Sequence, residues 1–319
     1  MMNFGNCYTK FVFGLEQINE AAAYSTKDFI MSMERRYKDE IATNVEYILK
    51  PENECKVLML AGPSGSGKTT TANMIKSELE RRGKKAILIS LDDFYLGEGR
   101  APQTEDGSHD YEAAEALDIP QIKGCLLGLM EKGECELPRF NFKEKRPFKE
   151  KRHVELREGE IAIVEGIHGL NPMFTSNIPK NGLLKMYVSV KQGIKDYNGA
   201  VLSRRDVRLT RRIVRDHLHR GTSAEQTFAM WDNVCRGEVL YIHPFKRTSD
   251  CTINSIHIYE SCVLSVSAIP LLREIKQDSP YYYPSRRLLS ALERFYPIDP
   301  VEVPKDSLIR EFIGDGIYE

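Results

Sequence analysis

The chain has 319 residues, 41% of them apolar and 29% charged, a composition typical of a globular protein with two domains or one large domain with appendages. The net charge of −1 excludes a bulk attraction to nucleic acid or to an anionic membrane, and no apolar run approaches the ~20 residues that a membrane-spanning helix needs. The seven cysteines include no C-x-x-C pair, and residues 1–14 lack the features of a signal peptide. We therefore expect reduced thiols and a cytoplasmic location.

The first clear pattern along the chain is that of an amphipathic helix. Over residues 25–49, apolar side chains recur at four-residue intervals, at Phe29, Met33, Tyr37, Ile41 and Val45. This spacing predicts a helix that packs on the core, beginning near Ser25 or Thr26 and ending before Pro51.

A phosphate-binding loop follows an apolar run at residues 57–61. Residues 62–69 read GPSGSGKT and fit G-x-x-x-x-G-K-[ST], between a predicted strand and a predicted helix. Such a loop directs backbone N–H groups at an anion, so we predict a nucleoside triphosphate site, with Lys68 near the β- and γ-phosphates and Thr69 on Mg²⁺. The predicted nucleotide contacts are Gly62, Ser64, Gly65, Ser66, Gly67, Lys68, Thr69 and Thr70.

Carboxylates follow two further apolar runs. Asp92 and Asp93 come after a predicted strand at residues 86–90, and Glu165 ends one at residues 161–164. Ligands of open α/β sheets lie beyond the carboxyl ends of the strands, so these acids are candidates for chemistry and, at Glu165, for Mg²⁺. The alternative for Asp92 and Asp93 is that they cap the next turn.

The region between these strands reads as an insertion. We predict a loop at 97–107, a helical stretch at 113–131 that Pro120 divides, and a hairpin of strands at 137–142 and 154–156. The intervening residues 143–152 are strongly basic. They form either a solvated loop or the rim of an acceptor pocket.

Strand patterns at residues 184–190 and 251–254 bring the total to five strands separated by helices, which predicts a doubly wound parallel sheet. Between them, residues 203–221 form a helix pattern in which four arginines share one face: Arg208, Arg211, Arg212 and Arg215. Arginines this close favour an anion among them, so the segment is either a lid over the triphosphate or an ordinary surface helix.

These motifs together resemble the uridine kinase/phosphoribulokinase family of P-loop kinases. The resemblance rests on residues 62–69, 90–95, 137–142, 164–167 and 211–221 and covers roughly residues 55–260. Residues 303–314 are in turn similar to the C-terminus of the long bacterial uridine kinase-like proteins. The resemblance implies an α/β P-loop NTPase fold of the nucleoside-kinase type, with a five-stranded parallel sheet, a lid helix and a β-hairpin insertion. We expect a helical extension at 1–50, the kinase core at 51–275 and a helical tail at 276–319.

The resemblance also implies roles for individual residues. Asp92 takes the place of the catalytic base, and Arg211 and Arg215 match arginines that contact phosphate, alongside Lys68. The residues matching the acceptor site are Asp92, Tyr95, Glu112, Phe140, Phe142, Arg208 and Gln226. Two departures concern the acceptor: Asn141 stands where Asp is common, and Lys145 or Arg146 stands near the place of a pocket histidine.

The expected reaction is ATP-dependent, Mg²⁺-dependent phosphorylation of the 5′-hydroxyl of uridine or cytidine. The alternatives are a kinase of another alcohol, such as a phosphosugar or a pantothenate-like acceptor, and a nucleotide-binding regulator that does not turn over. We expect the protein to bind a small-molecule nucleoside and to bind neither nucleic acid nor a membrane. A homo-oligomer is left open.

Overall fold

The structure is a computed structural model that describes residues 13–104 and 107–318. The expectation about a signal peptide falls almost wholly outside these residues. The strands are β1 (Phe13–Gly14), β2 (Val57–Ala61), β3 (Ala86–Ser90), β4 (Glu134–Leu137), β5 (Phe140–Asn141), β6 (Arg146–Pro147), β7 (Arg152–Glu155), β8 (Ile161–Glu165), β9 (Leu183–Ser189), β10 (Ile194–Asp196), β11 (Gly199–Leu202) and β12 (Cys251–Asn254). The helices are α1 (Leu15–Tyr24), α2 (Thr26–Ile48), α3 (Lys68–Arg81), α4 (Ile119–Glu131), α5 (Pro172–Thr175), α6 (Arg204–Arg220), α7 (Ala224–Gly237), α8 (Glu260–Arg273), α9 (Tyr282–Leu292) and α10 (Arg310–Ile313).

A five-stranded sheet forms the centre of the molecule, in the order β12–β9–β2–β8–β3. Every neighbouring pair is parallel, and Leu58 on β2 aligns with Ile163 on β8 and Leu184 on β9. The predicted doubly wound sheet is confirmed, with strand bounds within one residue of those expected from the apolar runs. Because the strands are parallel, the loops after β2, β3 and β8 meet at one edge of the sheet.

Helices cover both faces of this sheet. Leu58 and Leu60 point into a core shared with α2, α3, α6, α8 and α9, whereas Val57 and Met59 point into a core shared with α4 and the hairpin strands. Alternate residues of β2 are thus buried on opposite faces, which explains why parallel strands read as continuous apolar runs.

The N-terminal extension contains two described helices rather than one. The predicted helix is α2, and α1, which the spacing did not reveal, precedes it after a break at Ser25. The Tyr37 hydroxyl lies 2.7 Å from the Thr71 hydroxyl on α3, so α2 packs directly on the helix after the phosphate-binding loop.

The insertion after β3 corrects one prediction. Pro120 does not divide a helix but lies in the first turn of α4, where its missing N–H leaves nothing unsatisfied and the Asp118 carboxylate accepts from the Gln121 N–H. The hairpin is confirmed as β4 paired antiparallel with β7, and a shorter pair, β5 with β6, continues it toward the tip. The predicted strand at 137–142 is interrupted between Leu137 and Phe140.

The C-terminal tail packs on the core. Side chains from α9 and α10, among them Leu288, Leu292 and Phe312, are buried in the same cluster as Leu58 of the central sheet. Across residues 13–104 and 107–318, no helix is both long and apolar enough to cross a membrane.

Candidate active site

The phosphate-binding loop lies between the end of β2 and the start of α3. Gly65 and Gly67 have φ angles of 73° and 82°, in the region that favours glycine, and α3 begins at Lys68. At Gly62, a Cβ would lie 2.1 Å from the Val188 carbonyl oxygen, so this position accepts no side chain. The glycine spacing that predicted the loop therefore corresponds to backbone that only glycine allows.

Three arginines of α6 hold this loop from outside. Arg208 Nη1 lies 3.4 Å from the Ser64 carbonyl oxygen, and Arg211 Nη1 donates to the Gly65 carbonyl oxygen at 3.0 Å. Arg212 Nη1 donates to the Ser64 hydroxyl at 3.0 Å. The arginine face of α6 thus bonds to the phosphate-binding loop itself, and its role as a lid over the triphosphate stays a prediction.

The arginine partners correct the sequence argument for Arg208 and Arg211. Arg208 pairs with Glu238 and Arg211 with Glu260, each at 2.6 Å and each buried. Every nitrogen of the Arg211 guanidinium has a protein partner, and the side chain has no exposed surface. The buried Arg211 guanidinium leaves no nitrogen free for a phosphate in this arrangement, and the contact of Arg208 with the acceptor stays a prediction. Acids distant in the sequence neutralise both arginines, which support the phosphate-binding loop.

Arg215 is placed differently. Its guanidinium donates to Asp216 Oδ1 at 2.8 Å, and the side chain keeps some access to solvent. Asp216 also lies 3.3 Å from Arg212, so one buried carboxylate serves two members of the arginine face. A contact between Arg215 and phosphate stays a prediction.

The ends of β3 and β8 bring the predicted carboxylates together. Ser90 and Glu165 are register partners, and the Ser90 hydroxyl donates to Glu165 Oε1 at 3.1 Å. Asp92 follows in a single 3₁₀ turn, and the Thr69 hydroxyl lies 3.4 Å from the same Glu165 oxygen. The sheet thus places Glu165 beside the first turn of α3, as the position of the acid at a strand end predicts.

Electrostatics around these acids favour a bound cation. Burial and the nearby Asp92 carboxylate raise the pKa of Glu165 to about 7. Desolvation within the cleft and the neighbouring Asp93 also raise the pKa of Asp92, and Lys68 lowers it. Part of the Asp92 side chain is nevertheless exposed to solvent. A divalent ion would relieve this repulsion. The described part of the chain holds no cluster of three or more potential metal ligands, and Mg²⁺ commonly takes only one or two carboxylates together with phosphates and water.

A row of aromatic rings lies on the hairpin side of the cleft. The Tyr95 and Phe140 rings are 5.8 Å apart, and the Phe140 and Phe142 rings are 5.1 Å apart in an edge-to-face arrangement. The Phe140 N–H donates to Asp93, which attaches the hairpin to the turn carrying Asp92. Phe142 is 62% exposed, so its ring is open to a partner. We call Tyr95, Phe140 and Phe142 the aromatic row.

Glu112 lies between this row and the arginine face. Burial raises its pKa to about 7, against the opposing effect of Arg212 and Lys68. Gly237, at the end of α7, packs so closely on Glu112 that a Cβ there would lie 2.6 Å from the Glu112 Cβ. The structure therefore brings Glu112 to the same cleft as Lys68 and Asp92.

Gln226 does not share this environment. It is exposed, and its side-chain oxygen accepts from the Ser223 N–H at 2.9 Å in the capping box of α7. Its predicted contact with a nucleoside stays a prediction. The basic residues of the hairpin tip are also exposed, and Lys145 pairs with Glu98 at 2.8 Å.

His168 is a candidate that the sequence argument missed. It is buried, and neither ring nitrogen has a hydrogen-bond partner of normal geometry within the described residues. Burial lowers its pKa to about 4, although the Glu112 backbone opposes that effect, so the ring is neutral at pH 7. Its ring packs against Tyr241, whose hydroxyl donates to Asp110. The sequence feature that could have identified His168 is its position three residues after Glu165, at the end of a strand that borders the site.

Comparison with known proteins agrees with this geometry. The profile of the Phosphoribulokinase / Uridine kinase family matches residues 57–260, which is more than half of the chain. The chain belongs to this family, and it is therefore a phosphotransferase with a P-loop kinase fold.

Individual relatives are similar at modest identity. A uridine kinase of Lactobacillus helveticus is 27% identical over 198 residues, which cover 62% of this chain and 85% of the relative. A uridine kinase of Saccharomyces cerevisiae is 25% identical over 226 residues, covering 70% of this chain and 41% of its own length. The solved structure of phosphoribulokinase from Rhodobacter spheroides is 16% identical, with a TM-score of 0.43, and covers 62% of this chain and 68% of that one.

Proposed function

We propose that this chain transfers the γ-phosphate of ATP to the 5′-hydroxyl of a pyrimidine nucleoside, with uridine and cytidine as the leading acceptors. The observation that carries the proposal is the arrangement of one cleft. Lys68 and Glu165 lie close enough to Asp92 to interact with its carboxylate electrostatically, and the bond from the Phe140 N–H to Asp93 attaches the aromatic row beside Asp92. A donor phosphate and a planar acceptor can therefore meet at Asp92.

The residues divide the chemistry in a way that phosphoryl transfer requires. That reaction depends on in-line positioning and on neutralising charge at the transferred group. Lys68 supplies a positive charge beside Asp92, and the Asp92 carboxylate accepts the hydrogen of the attacking hydroxyl and orients it. When bound, Mg²⁺ would neutralise phosphate charge, and the Thr69 hydroxyl and Glu165 are the groups placed to hold it.

The aromatic row and Glu112 support a nucleoside as the acceptor. Aromatic side chains stack on bases with a gain of about 1–3 kcal/mol per base, and Phe142 presents an open ring for this purpose. The Glu112 carboxyl, desolvated in the same cleft, is suited to accept hydrogen bonds from ribose hydroxyls. His168, neutral and with no hydrogen bond of normal geometry to residues 13–104 or 107–318, is available as a further polar contact for a sugar or base.

A coupled assay of ADP release across nucleosides, with and without Mg²⁺, tests the proposal. We expect turnover with uridine or cytidine, loss of turnover on Mg²⁺ removal, and turnover lowered by about 10²–10⁴-fold in the Asp92→Asn variant. Wild-type protein that binds ATP but phosphorylates no acceptor in the panel would instead support the regulator alternative.

A second acceptor class is favoured by the charge of the hairpin. Lys143, Lys149, Lys151 and Arg152 are all exposed on it. An acceptor that already carries a phosphate, such as a phosphosugar, would gain from this charge. Phosphosugars in the same panel decide the matter: faster turnover with them than with any nucleoside would replace the nucleoside proposal.

A further inference from the structure

The C-terminal tail reaches the phosphate-binding loop, although it lies beyond the residues that match the family. A Cβ at Gly67 would lie 2.7 Å from Leu308 Cδ1, so the tail contacts the loop at van der Waals distance. The Glu311 carboxylate accepts from the Thr70 hydroxyl at 2.8 Å and lies 3.3 Å from the Thr70 backbone nitrogen. A carboxylate therefore occupies the N-terminal end of α3, where the helix favours an anion.

The tail is firmly attached to the core at this place. The Ser307 hydroxyl donates to buried Glu34 on α2 at 2.7 Å, and Tyr259 donates to the same oxygen at 2.5 Å. The Arg310 guanidinium donates to the carbonyl oxygens of Val303 and Gly314, each at 3.2 Å, and so closes the tail on itself. The segment that contacts the loop is thus held in place by buried hydrogen bonds to the core and within the tail.

A cavity of about 310 Å³ lies between the tail and the phosphate-binding loop. Thr69 and Thr70 form one wall, His219 of α6 a second, and Arg310, Glu311 and Tyr318 of the tail a third. This volume falls at the lower end of the range of small-molecule sites, and the walls combine two aromatic rings with a carboxylate.

The motif indicates the direction in which a triphosphate would lie in the loop. In loops of this kind the lysine reaches the β- and γ-phosphates and the backbone N–H groups cradle the α- and β-phosphates, so we expect the α-phosphate on the side of the loop away from the tip of the Lys68 side chain. Both threonines line the cavity, but the Thr69 hydroxyl lies 3.4 Å from Glu165, whereas the Thr70 hydroxyl donates to Glu311 of the tail at 2.8 Å. A nucleoside attached to the α-phosphate beside Thr70 therefore leaves the loop on the side of the tail.

We propose that this cavity holds the nucleoside part of the donor nucleotide, so that the tail completes the donor site. The proposal rests on the proposed function, since it assumes a nucleoside triphosphate in the loop. Tyr318 and His219 supply ring faces for the base. Because the α-phosphate and the Glu311 carboxylate both accept from Thr70, the carboxylate leaves Thr70 when phosphate binds and turns to the ribose hydroxyls.

Comparing ATP with inorganic tripolyphosphate separates the nucleoside contacts from the phosphate contacts. By titration calorimetry in the absence of acceptor, we expect Tyr318→Ala and Glu311→Ala each to weaken ATP binding by about tenfold or more, an effect of about 1.4 kcal/mol. Tripolyphosphate affinity should not fall in either variant. Tyr296→Ala, an exposed aromatic residue of the same region that does not line the cavity, should change neither affinity. Unchanged ATP affinity in both cavity variants would overturn the proposal.

Hydrogen exchange on the wild-type protein gives a test that needs no variant. We expect ATP to slow exchange at the amides of residues 311–318, and tripolyphosphate to leave them unchanged or faster. Equal effects of the two ligands would refute the donor-site assignment. If ATP protects the tail while no nucleoside is phosphorylated, the acceptor proposal fails and this one stands; if nucleosides are phosphorylated without protection of the tail, the reverse holds.

Discussion

Replacing Arg211 by methionine should destabilise the protein strongly, because its ion pair with Glu260 is buried. The guanidinium bonds Glu260 at 2.6 Å, the Ser255 carbonyl at 2.7 Å and the Gly65 carbonyl at 3.0 Å. Methionine fills similar space but leaves a buried carboxylate and two carbonyl oxygens without these donors. Removing one partner of a buried ion pair costs about 3–5 kcal/mol, and we expect a loss of that size.

Urea unfolding measures this loss as a change in the free energy of unfolding. The matched control is Arg81→Met, because Arg81 pairs with Glu78 at 2.6 Å but its side chain is 68% exposed, and exposed pairs contribute about 0–1 kcal/mol. The double variant Arg211→Met with Glu260→Gln should recover part of the loss, since no unpaired charge then remains buried. A loss for Arg211→Met no larger than for Arg81→Met, or a double variant without recovery, would refute the reasoning.

Three further predictions concern the catalytic base, the acceptor site and the predicted metal carboxylate. Asp92→Asn should lower kcat by about 10²–10⁴-fold with ATP affinity retained, and a variant that kept most of the wild-type rate would show that Asp92 is not the base. Phe142→Ala should raise KM for the nucleoside without changing stability, because the ring is 62% exposed, whereas Phe148→Ala on the same hairpin should leave KM unchanged; equal KM values for both would remove the aromatic row from acceptor binding. Burial and Asp92 raise the pKa of Glu165 to about 7, above the value of about 4.3 in an unfolded chain. Between about pH 4.3 and pH 7, the folded state therefore keeps a proton on Glu165 that the unfolded state has released. Stability without ligand should therefore fall as pH rises from about 4.3 to 7, and Glu165→Gln should reduce the drop in Tm between pH 5 and pH 8; an undiminished drop would contradict this account.

The central sheet could be predicted from the sequence because its signal is local. Each strand is a short apolar run, because both faces of a parallel sheet are buried. The run therefore predicts the strand, and the end of the run predicts the edge of the sheet at which the site lies. The position of Glu165 beside Thr69 follows from that rule alone. The phosphate-binding loop could also be predicted from the sequence. Its glycines at 62, 65 and 67 stand where the backbone conformation or a close contact excludes a side chain, so the motif reflects the loop's geometry directly.

The partners of the arginine face could not be predicted in the same way. Four arginines on one helix face predict a bound anion only if no acid from elsewhere reaches them. Glu238 and Glu260 lie 30 and 49 residues beyond their partners Arg208 and Arg211. The sequence of the helix itself does not indicate these pairings. The helix pattern predicts the shared arginine face, but the tertiary fold decides which of its charges remain unpaired.

These buried pairs bear on how the loop can bind an anion at all. A phosphate-binding loop must present its N–H groups inward, which requires its carbonyl groups to find donors elsewhere. Arg208 and Arg211 supply such donors to Ser64 and Gly65 and stay in place because Glu238 and Glu260 neutralise them from the end of α7 and from α8. Without these acids, two buried guanidinium groups would remain uncompensated beside the loop. The acids thus hold Arg208 and Arg211 against the loop carbonyls, and we expect the charge that meets the γ-phosphate to come from Lys68, with Arg215 as the remaining arginine candidate.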